Sequence, residues 1–252
     1  MLFKRLASLL FWTFMTVSSI LLYPAALLLW LLTAAFDRRL LLLHRFTCFW
    51  ASLYTWLNPG WRVRIQGREK IRHNAVYVMV ANHQSLLDIL VLFRLFKHYK
   101  WVSKVENFRI PWIGWNMSLN RYIKLRRGDR KSVEQMMLAC ERNLKDGNSI
   151  MMFPEGSRSP DGRLRPFKPG AFVLAQRAGV PLLPIVIQGT ANALPKRGFL
   201  LSGHHDIRVR VMDEIPYESF RDTPVEKLTA ELEEHFAFQL GQTQDRPQAI
   251  AI

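Results

Sequence analysis

The chain opens with two long apolar stretches. Residues 6–36 contain no charged side chain, and this length exceeds the ~20 apolar residues that a helix needs to cross a bilayer. Pro24, near its middle, predicts either a kink or a division into a membrane-dipping helical pair. Residues 40–57 form the second stretch, which His44 and Arg45 interrupt. We expect this stretch to form a helix that lies in the membrane interface or packs back on the first.

From residue 61 the pattern changes to short apolar runs, typical of buried strands, that alternate with stretches of helical periodicity. The predicted strands cover residues 62–66, 75–80, 100–103, 122–125, 150–153, 182–188 and 207–212. The predicted helices cover residues 86–96, 130–145, 171–178 and 224–240, the last capped by Thr223 with a proline at its first position. This alternation predicts an α/β fold with a largely parallel central sheet and helices on both faces.

Three regions follow from these patterns. Residues 1–60 are predicted to be a membrane-anchoring helical segment, residues 61–242 an α/β domain, and residues 243–252 a flexible tail. The first apolar run is too long for the core of a secretory signal, and no small-residue cleavage site is obvious, so we expect it to be retained.

The charge of the chain narrows its partners to anionic ones. The formal net charge is +15, from 35 Lys and Arg against 20 Asp and Glu, which favours nucleic acid, anionic lipid headgroups or a phosphorylated substrate without choosing among them. The two cysteines, Cys48 and Cys140, have no spacing typical of zinc. We expect both to be buried as small apolar residues in a reducing compartment, and no metal site.

His83 and Asp88 lie in a polar stretch between a predicted strand and a predicted helix. Residues five apart on one helix point about 140° away from each other, so the two meet only if His83 precedes the helix and Asp88 lies in its first turn. The carboxylate would then orient one ring nitrogen and leave the other as a general base toward a hydroxyl. A capping box from Ser85 to Asp88 explains the same residues without catalysis.

A second polar stretch, residues 153–159 with the sequence Phe-Pro-Glu-Gly-Ser-Arg-Ser, follows another predicted strand. The carboxyl ends of strands in α/β sheets are where ligands bind. An ordinary ion pair between Glu155 and Arg158, with Pro154 and Gly156 as turn residues, fits the same pattern.

Together, the two stretches resemble motifs of the glycerolipid acyltransferase family, specifically of bacterial 1-acylglycerol-3-phosphate acyltransferases. His83 with Asp88 matches the N-H-x4-D motif, residues 153–159 match F-P-E-G-[TS]-R-S, and residues 180–185 match V-P-x-x-P. Further likeness is found at residues 104–106, 110–114 and 167–170, so the resemblance spans residues 61–214. The second family motif departs from the pattern, and only Arg126 of it is kept.

The resemblance implies transfer of an acyl chain from acyl-CoA or acyl carrier protein to the sn-2 hydroxyl of lysophosphatidic acid, which gives phosphatidic acid. His83, oriented by Asp88, is expected to act as the general base, an effect worth ~10²- to 10⁴-fold. A thiolate leaves readily, so neither a covalent intermediate nor a cofactor is expected. An acceptor of another kind, such as a lyso-aminolipid, is the first alternative, and a non-catalytic basic protein that binds membranes or nucleic acid is the second.

A phosphate-bearing acceptor requires cations near the base. Arg158 is the first choice, because its planar fork binds phosphate oxygens in pairs, and Lys104 and Arg126 come next. Glu155, beside Gly156, is expected to orient these cations or the acceptor.

The remaining predicted contacts are apolar or electrostatic. A strand containing Val180, Pro181 and Pro184 is expected to line the acyl or donor side, and plain core packing fits it equally well. Residues 121–131 hold a cluster of six cations: Arg121, Lys124, Arg126, Arg127, Arg130 and Lys131. We expect this cluster to contact anionic membrane lipids or the phosphates of coenzyme A, although a solvated face would look the same. The expected location is a bacterial inner membrane with the catalytic domain facing the cytoplasm, without a nucleic-acid partner.

Overall fold

A computed structural model describes residues 2–194, 200–201 and 203–242; the predicted tail at residues 243–252 lies outside this part. The strands are β1 Trp61–Gln66, β2 Val78–Ala81, β3 Tyr99–Lys104, β4 Ile123–Leu125, β5 Ser149–Met152, β6 Leu182–Gln188 and β7 His205–Val211. The α-helices are α1 Leu2–Thr33, α2 Leu41–Trp56, α3 Leu87–Phe93, α4 Ile113–Leu119, α5 Arg130–Lys145, α6 Gly170–Ala178, α7 Thr190–Ala193, α8 Tyr217–Phe220 and α9 Val225–Gln239. Short 3₁₀ helices cover Arg68–Lys70 and Val105–Arg109.

The seven described strands form one sheet in the order β1-β7-β6-β2-β5-β3-β4. The five strands from β6 to β4 in this order run parallel to one another. β7 is antiparallel to β6, and β1 is parallel to β7. The predicted α/β fold with a largely parallel sheet is therefore confirmed, with an antiparallel addition at one edge.

The central strand β2 is buried on both faces. Met79 and Ala81 belong to the core on the side of α2 and α3, while Val78 and Val80 belong to the core on the side of α5, α6 and α9. An uninterrupted apolar run suits such a strand, because neither face meets water. The sheet is thus covered by helices on both sides.

The pairing of β2 with β5 brings the two predicted motifs together. Val80 lies opposite Met152 in parallel register, so the two strands end at the same level of the sheet. The polar segments that follow, residues 82–88 and 153–159, consequently emerge side by side at the carboxyl edge.

The N-terminal region forms a helical hairpin. α1 continues through Pro24 as one helix, so the expected division at this proline is wrong. The span from Lys4 to Thr33 is long and apolar enough to cross a membrane, and in an 18-residue apolar stretch of it only 11% of the residues are buried inside the protein. α2 packs back on α1, where the Tyr54 hydroxyl lies 3.1 and 3.2 Å from the hydroxyls of Ser18 and Ser19.

Polar contacts fasten this hairpin to the α/β domain. The His44 Nδ1 atom lies 3.0 Å from the Tyr122 hydroxyl, and its Nε2 atom lies 3.0 Å from the Lys97 carbonyl. The buried ammonium of Lys100 donates to the carbonyls of Arg39 at 2.9 Å and Asn120 at 3.0 Å. A second helix that only rested in the membrane interface would not make these contacts, so α2 is part of the protein core.

Several boundaries differ from the predicted ones. β2 starts only at Val78, α3 ends at Phe93, and α9 starts at Val225, after Pro224, without a side-chain cap from Thr223. The short helices α4, α7 and α8 were not predicted, because four to seven residues give too little periodicity to recognise.

His98 lies beside the hairpin in a largely buried position. Its Nε2 atom lies 2.9 Å from Asn148 Oδ1, its Nδ1 atom is buried without a partner, and its ring lies 4.9 Å from that of His44. Burial, followed by the charge of Lys100, lowers the pKa of His98 from 6.5 to about 4.

We therefore expect stability to depend on pH through His98. Between pH 6.5 and about 4 the unfolded chain binds more protons than the folded one, so the free energy of unfolding falls as the pH is lowered through this window. The loss from this residue is roughly 3 kcal/mol, at ~1.4 kcal/mol per pKa unit. Urea unfolding of detergent-solubilised wild type and His98→Gln across this range measures it. If the free energy of unfolding changed with pH equally in both proteins, the neutral, buried state of His98 would be contradicted.

Candidate active site

Asn82 anchors the turn that follows β2. Its side chain donates to the Ile187 carbonyl at 2.9 Å and accepts from the Ile187 N–H at 2.7 Å, so it bridges to the neighbouring strand β6 as a backbone amide would. The residue is fully buried. Its position fixes where the next residue, His83, leaves the sheet.

His83 and Asp88 form a buried pair. The Nδ1 atom of His83 lies 2.9 Å from Asp88 Oδ2, with His83 ahead of α3 and Asp88 in its first turn. The same oxygen accepts from the N–H groups of Gln84 at 2.6 Å and Ser85 at 2.7 Å. Three donors therefore converge on one carboxylate oxygen, and charge-assisted hydrogen bonds of this kind are the strong ones.

The capping and catalytic interpretations of Asp88 are compatible. Asp88 accepts from the Ser85 N–H, as one half of a capping box requires. The Ser85 hydroxyl, however, accepts from the Leu87 N–H at 3.1 Å and donates to the Leu194 carbonyl at 2.6 Å. The carboxylate thus shapes the start of α3 and holds the imidazole at the same time.

The imidazole of His83 is held on its face as well as at Nδ1. It stacks on Phe153, with ring centroids 3.9 Å apart and planes 8° from parallel. Its Nε2 atom has no hydrogen-bond partner among the described residues, and His83 lines a large cavity. Because Nδ1 faces the carboxylate, Nε2 is the nitrogen available to take a proton from a bound hydroxyl.

Glu155 holds the backbone of His83. Its Oε1 atom accepts from the His83 N–H at 2.6 Å, and its Oε2 atom accepts from the Arg165 N–H at 3.1 Å. Burial, followed by the nearby Asp88 carboxylate, raises the pKa of Glu155 to about 7, although the two N–H donors act in the opposite direction. The described contacts of Glu155 are thus to backbone N–H groups. We had expected this side chain to orient cations or the acceptor instead.

The structure separates the predicted cations. Lys104 lines the cavity and pairs with Glu106 at 3.2 Å. Arg158 is partly buried and does not line it, and Arg126 is exposed while Arg127, the next residue, does line the cavity. Arg127 was within the predicted cation cluster; it is exposed like Arg126, and it lies in the turn after β4, at the rim of the cavity.

Gly156 lines the cavity in a left-handed conformation, with φ at 69°. A Cβ atom added there would lie 3.3 Å from the Lys168 ammonium. Lys168 therefore places a further positive charge next to Gly156. It lies in the segment at residues 167–170 that resembles the family, but the sequence did not identify it as a binding residue.

The cavity has a volume of about 570 Å³ and lies between the hairpin and the α/β domain. Its walls are mostly apolar and come from α1, α2, α3, α4 and the ends of β3 and β5: Phe11, Trp12, Met15, Trp50, Tyr54, Ile89, Leu90, Phe93, Trp101, Ile110, Ile113, Met117, Tyr122, Met152 and Phe153. Among the described residues, Lys104 and Arg127 are its charged wall residues. Such a space suits an apolar chain that carries an anionic group.

The strand expected to line the acyl or donor side lies elsewhere. Val180, Pro181 and Pro184 are absent from the cavity wall, and β6 runs between β2 and β7 with its apolar side chains buried. Pro184 is buried within β6, whereas Val180 and Pro181 precede the strand and are half-buried. Within the described residues, no three His, Cys, Asp or Glu side chains are grouped so that they would hold a metal.

Comparison with known proteins points to one family. A model of the Acyltransferase family matches residues 62–188. A chloroplastic 1-acyl-sn-glycerol-3-phosphate acyltransferase of Brassica napus is 42% identical over 176 residues, which is 69% of this chain and 51% of that protein. The 1-acyl-sn-glycerol-3-phosphate acyltransferase of Saccharomyces cerevisiae is 34% identical over 167 residues, or 64% of this chain and 54% of that protein. The chain therefore spans about half the length of these curated relatives.

The fold is shared with a solved protein. The crystal structure of the 1-acyl-sn-glycerophosphate acyltransferase of Thermotoga maritima superimposes with a TM-score of 0.77 at 23% identity, over 97% of this chain and 99% of that one. At this identity the similarity shows a shared fold, which includes the N-terminal helices, and it confirms the predicted architecture.

Replacing Glu155 tests its contact with the His83 backbone. Glu155→Ala leaves the buried His83 N–H without an acceptor, which costs about 1–3 kcal/mol of unfolding free energy. Glu155→Gln keeps one acceptor oxygen and is expected to lose less. Urea unfolding measures both, with Glu106→Ala as the control, since Glu106 is exposed and its ion pair with Lys104 lies at the surface. A Glu155→Ala protein as stable as the wild type would contradict the role of this carboxyl.

Proposed function

This chain belongs to the acyltransferase family, and we propose that it transfers an acyl group from a thioester donor to the sn-2 hydroxyl of lysophosphatidic acid, which forms phosphatidic acid. One observation carries the proposal: the buried His83–Asp88 pair faces an apolar cavity whose charged wall residues are Lys104 and Arg127. The names of the curated relatives supply the acceptor and the product, 1-acylglycerol-3-phosphate and its acylated form.

The base in this proposal is the Nε2 atom of His83. It takes the proton of the acceptor hydroxyl while that oxygen attacks the thioester carbonyl, so that a C–O bond forms and the C–S bond breaks. The proton then passes to the leaving thiolate. Asp88 stabilises the transient imidazolium through Nδ1, and it needs no reorganisation because backbone N–H groups already fix it.

Direct transfer, without an acyl-enzyme intermediate, is supported by the state of the cysteines. Cys48 and Cys140 are both fully buried, and neither lines the cavity. Burial raises the pKa of the Cys140 thiol to about 12 and that of Cys48 further still. The thiolate is the nucleophilic form of cysteine, so both side chains act as small apolar residues.

Three cations are proposed to bind the acceptor phosphate. Lys104 and Arg127 line the cavity, and Lys168 lies next to Gly156, which is part of the cavity wall. Arg158 remains part of the proposal as a nearby guanidinium that binds phosphate oxygens in pairs. The exposed members of the cation cluster at residues 121–131 are proposed to contact anionic lipids or the phosphates of coenzyme A or acyl carrier protein.

α1 is proposed to hold the enzyme in the membrane, with a bacterial inner membrane as the expected location.

A second acceptor class is favoured by one observation. Arg126, the single residue retained from the second family motif, is exposed and does not line the cavity. The alternative is therefore the same reaction on a lysolipid with a different headgroup, such as a lyso-aminolipid.

Replacing the base tests the proposed reaction. His83→Ala is expected to lower acyl transfer by ~10²- to 10⁴-fold, because the acceptor hydroxyl then lacks a general base, and Asp88→Asn by a similar or smaller factor. The assay combines purified protein with lysophosphatidic acid and either acyl-CoA or acyl carrier protein, and it measures the lipid product. His73→Ala is the control, since His73 is exposed and outside the site. Equal turnover by wild type and His83→Ala would refute the mechanism.

The headgroup is tested by removing cations that reach the cavity. Lys104→Met and Arg127→Met are each expected to raise the KM for lysophosphatidic acid roughly 10- to 100-fold, since a hydrogen bond to a charged group is worth ~1.5–3 kcal/mol. Lys145→Met is the matched control, because Lys145 is exposed on α5, lies outside the cation cluster and does not line the cavity. A panel of lysolipids with and without phosphate completes the test. A wild-type preference for a phosphate-free acceptor would support the second class instead.

A further inference from the structure

Large apolar side chains are exposed where the chain enters α4. Among residues 110–115, here called the interfacial segment, Ile110 is 46%, Ile113 36% and Trp115 45% exposed. Pro111 between them is exposed as well. Contiguous apolar patches of this kind on a protein surface mark sites of protein or membrane contact.

The interfacial segment adjoins the exposed face of α1. The Trp115 ring meets the Tyr23 ring edge-on at 5.4 Å, and the Trp112 ring lies 6.0 Å from that of Trp115. Ile20, three residues before Tyr23 and therefore on the same side of α1, is 43% exposed. The segment therefore extends the apolar surface of the helix that is long enough to cross a membrane, and tryptophan and tyrosine are the residues that favour the headgroup level of a bilayer.

Positive charges border this apolar surface. Arg109 is exposed and directly precedes the segment. The Lys124 ammonium lies 5.1 Å from the ring centre of Phe108, one residue further back, and Lys104 lies at the start of the same 3₁₀ turn. Cations that border an exposed apolar surface complement an anionic bilayer, where each contributes about 1 kcal/mol. This charge favours a membrane over a second protein as the partner.

The segment is held in its exposed position by the backbone. A Cβ atom at Gly114 would lie 2.5 Å from the Asn107 carbonyl oxygen and 2.6 Å from Phe108 backbone atoms, so α4 lies directly on the preceding turn. Trp112 has a positive φ of 57° with ψ at −57°, a backbone conformation that is costly for a non-glycine residue and is retained mainly where surroundings or function require it. The apolar side chains are thus not free to fold inward.

The same segment forms part of the cavity wall. Ile110 and Ile113 line the cavity that contains His83, and so do Asn116 and Met117 on the inner side of α4. Because the two isoleucines are also exposed, the wall between the site and the outside is only one side chain thick at this place.

We propose that the interfacial segment is a second membrane contact, made by the α/β domain itself. It inserts beside α1 into the boundary between headgroups and hydrocarbon of an anionic bilayer. At this depth the cavity opens toward the lipid, and the acyl chain of the acceptor enters sideways past Ile110 and Ile113. The insertion is independent of the reaction, whereas the entry path rests on the proposed function.

A fluorescent label at Trp115 tests the insertion. The two native cysteines are buried, so Trp115→Cys supplies a thiol that an environment-sensitive nitrobenzoxadiazole dye labels selectively. The full chain is reconstituted into vesicles of phosphatidylglycerol and phosphatidylcholine. We expect the emission to shift to the blue, to be quenched by doxyl-labelled lipid, and to be protected from iodide. Ser219→Cys, exposed on α8, is the control. Its label is expected to show no blue shift and no quenching by doxyl-labelled lipid, and to be quenched by iodide.

Quenching of the Trp115 label by iodide to the same extent as the Ser219 label would overturn the insertion. A blue shift that depends on protein concentration and ignores doxyl lipid would also overturn it, because it would show contact with a second copy.

The entry path is tested with Trp115→Asp, since Trp115 does not line the cavity. We expect at least a tenfold loss of activity on long-chain lysophosphatidic acid in vesicles and unchanged activity on a short-chain acceptor that is soluble as a monomer. Equal loss on both acceptors would overturn the entry path. A wild type that is inactive on both would instead refute the proposed function, while the labelling result would still decide the insertion.

Discussion

The buried carboxylate of Asp88 is the constraint on which the rest of the site depends. Its Oδ2 atom accepts from His83 Nδ1 and from two backbone N–H groups, and these donors offset, at this oxygen, the loss of water that burial imposes on a charge. Because the backbone donors belong to the turn between β2 and α3, the carboxylate sets the path of the chain there. The positive end of α3 favours the same negative charge.

Two larger features complete the site around this pair. The parallel register of β2 and β5 places Phe153 against the face of the His83 ring and Glu155 behind its backbone N–H, so the base cannot turn away from the cavity. The hairpin of α1 and α2 supplies the wall opposite the sheet. Its attachment through His44 to Tyr122, which itself lines the cavity, joins the membrane-facing helices to the catalytic domain.

The sequence was most informative where local pattern determines structure. Alternating strands and helices predicted the sheet, and the spacing of His83 and Asp88 predicted the geometry of the pair before α3. Contacts set by tertiary packing were not foreseeable: the hairpin as a cavity wall, the place of Arg127 rather than Arg126 at the cavity, and the backbone contacts of Glu155. The apolar run of β6 was ambiguous for the same reason, since a strand buried in a core and a strand lining an apolar site have the same composition.

The state of the His83 ring tests the central claim most directly. Nitrogen-15 NMR of the histidine-labelled protein, with the His83 signals assigned by their loss in His83→Ala, reports which ring nitrogen carries the proton. We predict that Nδ1 is protonated and donates to Asp88 while Nε2 is bare at neutral pH, and that this preference is lost in Asp88→Asn. A proton on Nε2 in the wild type, or the same tautomer with and without the carboxylate, would contradict the account.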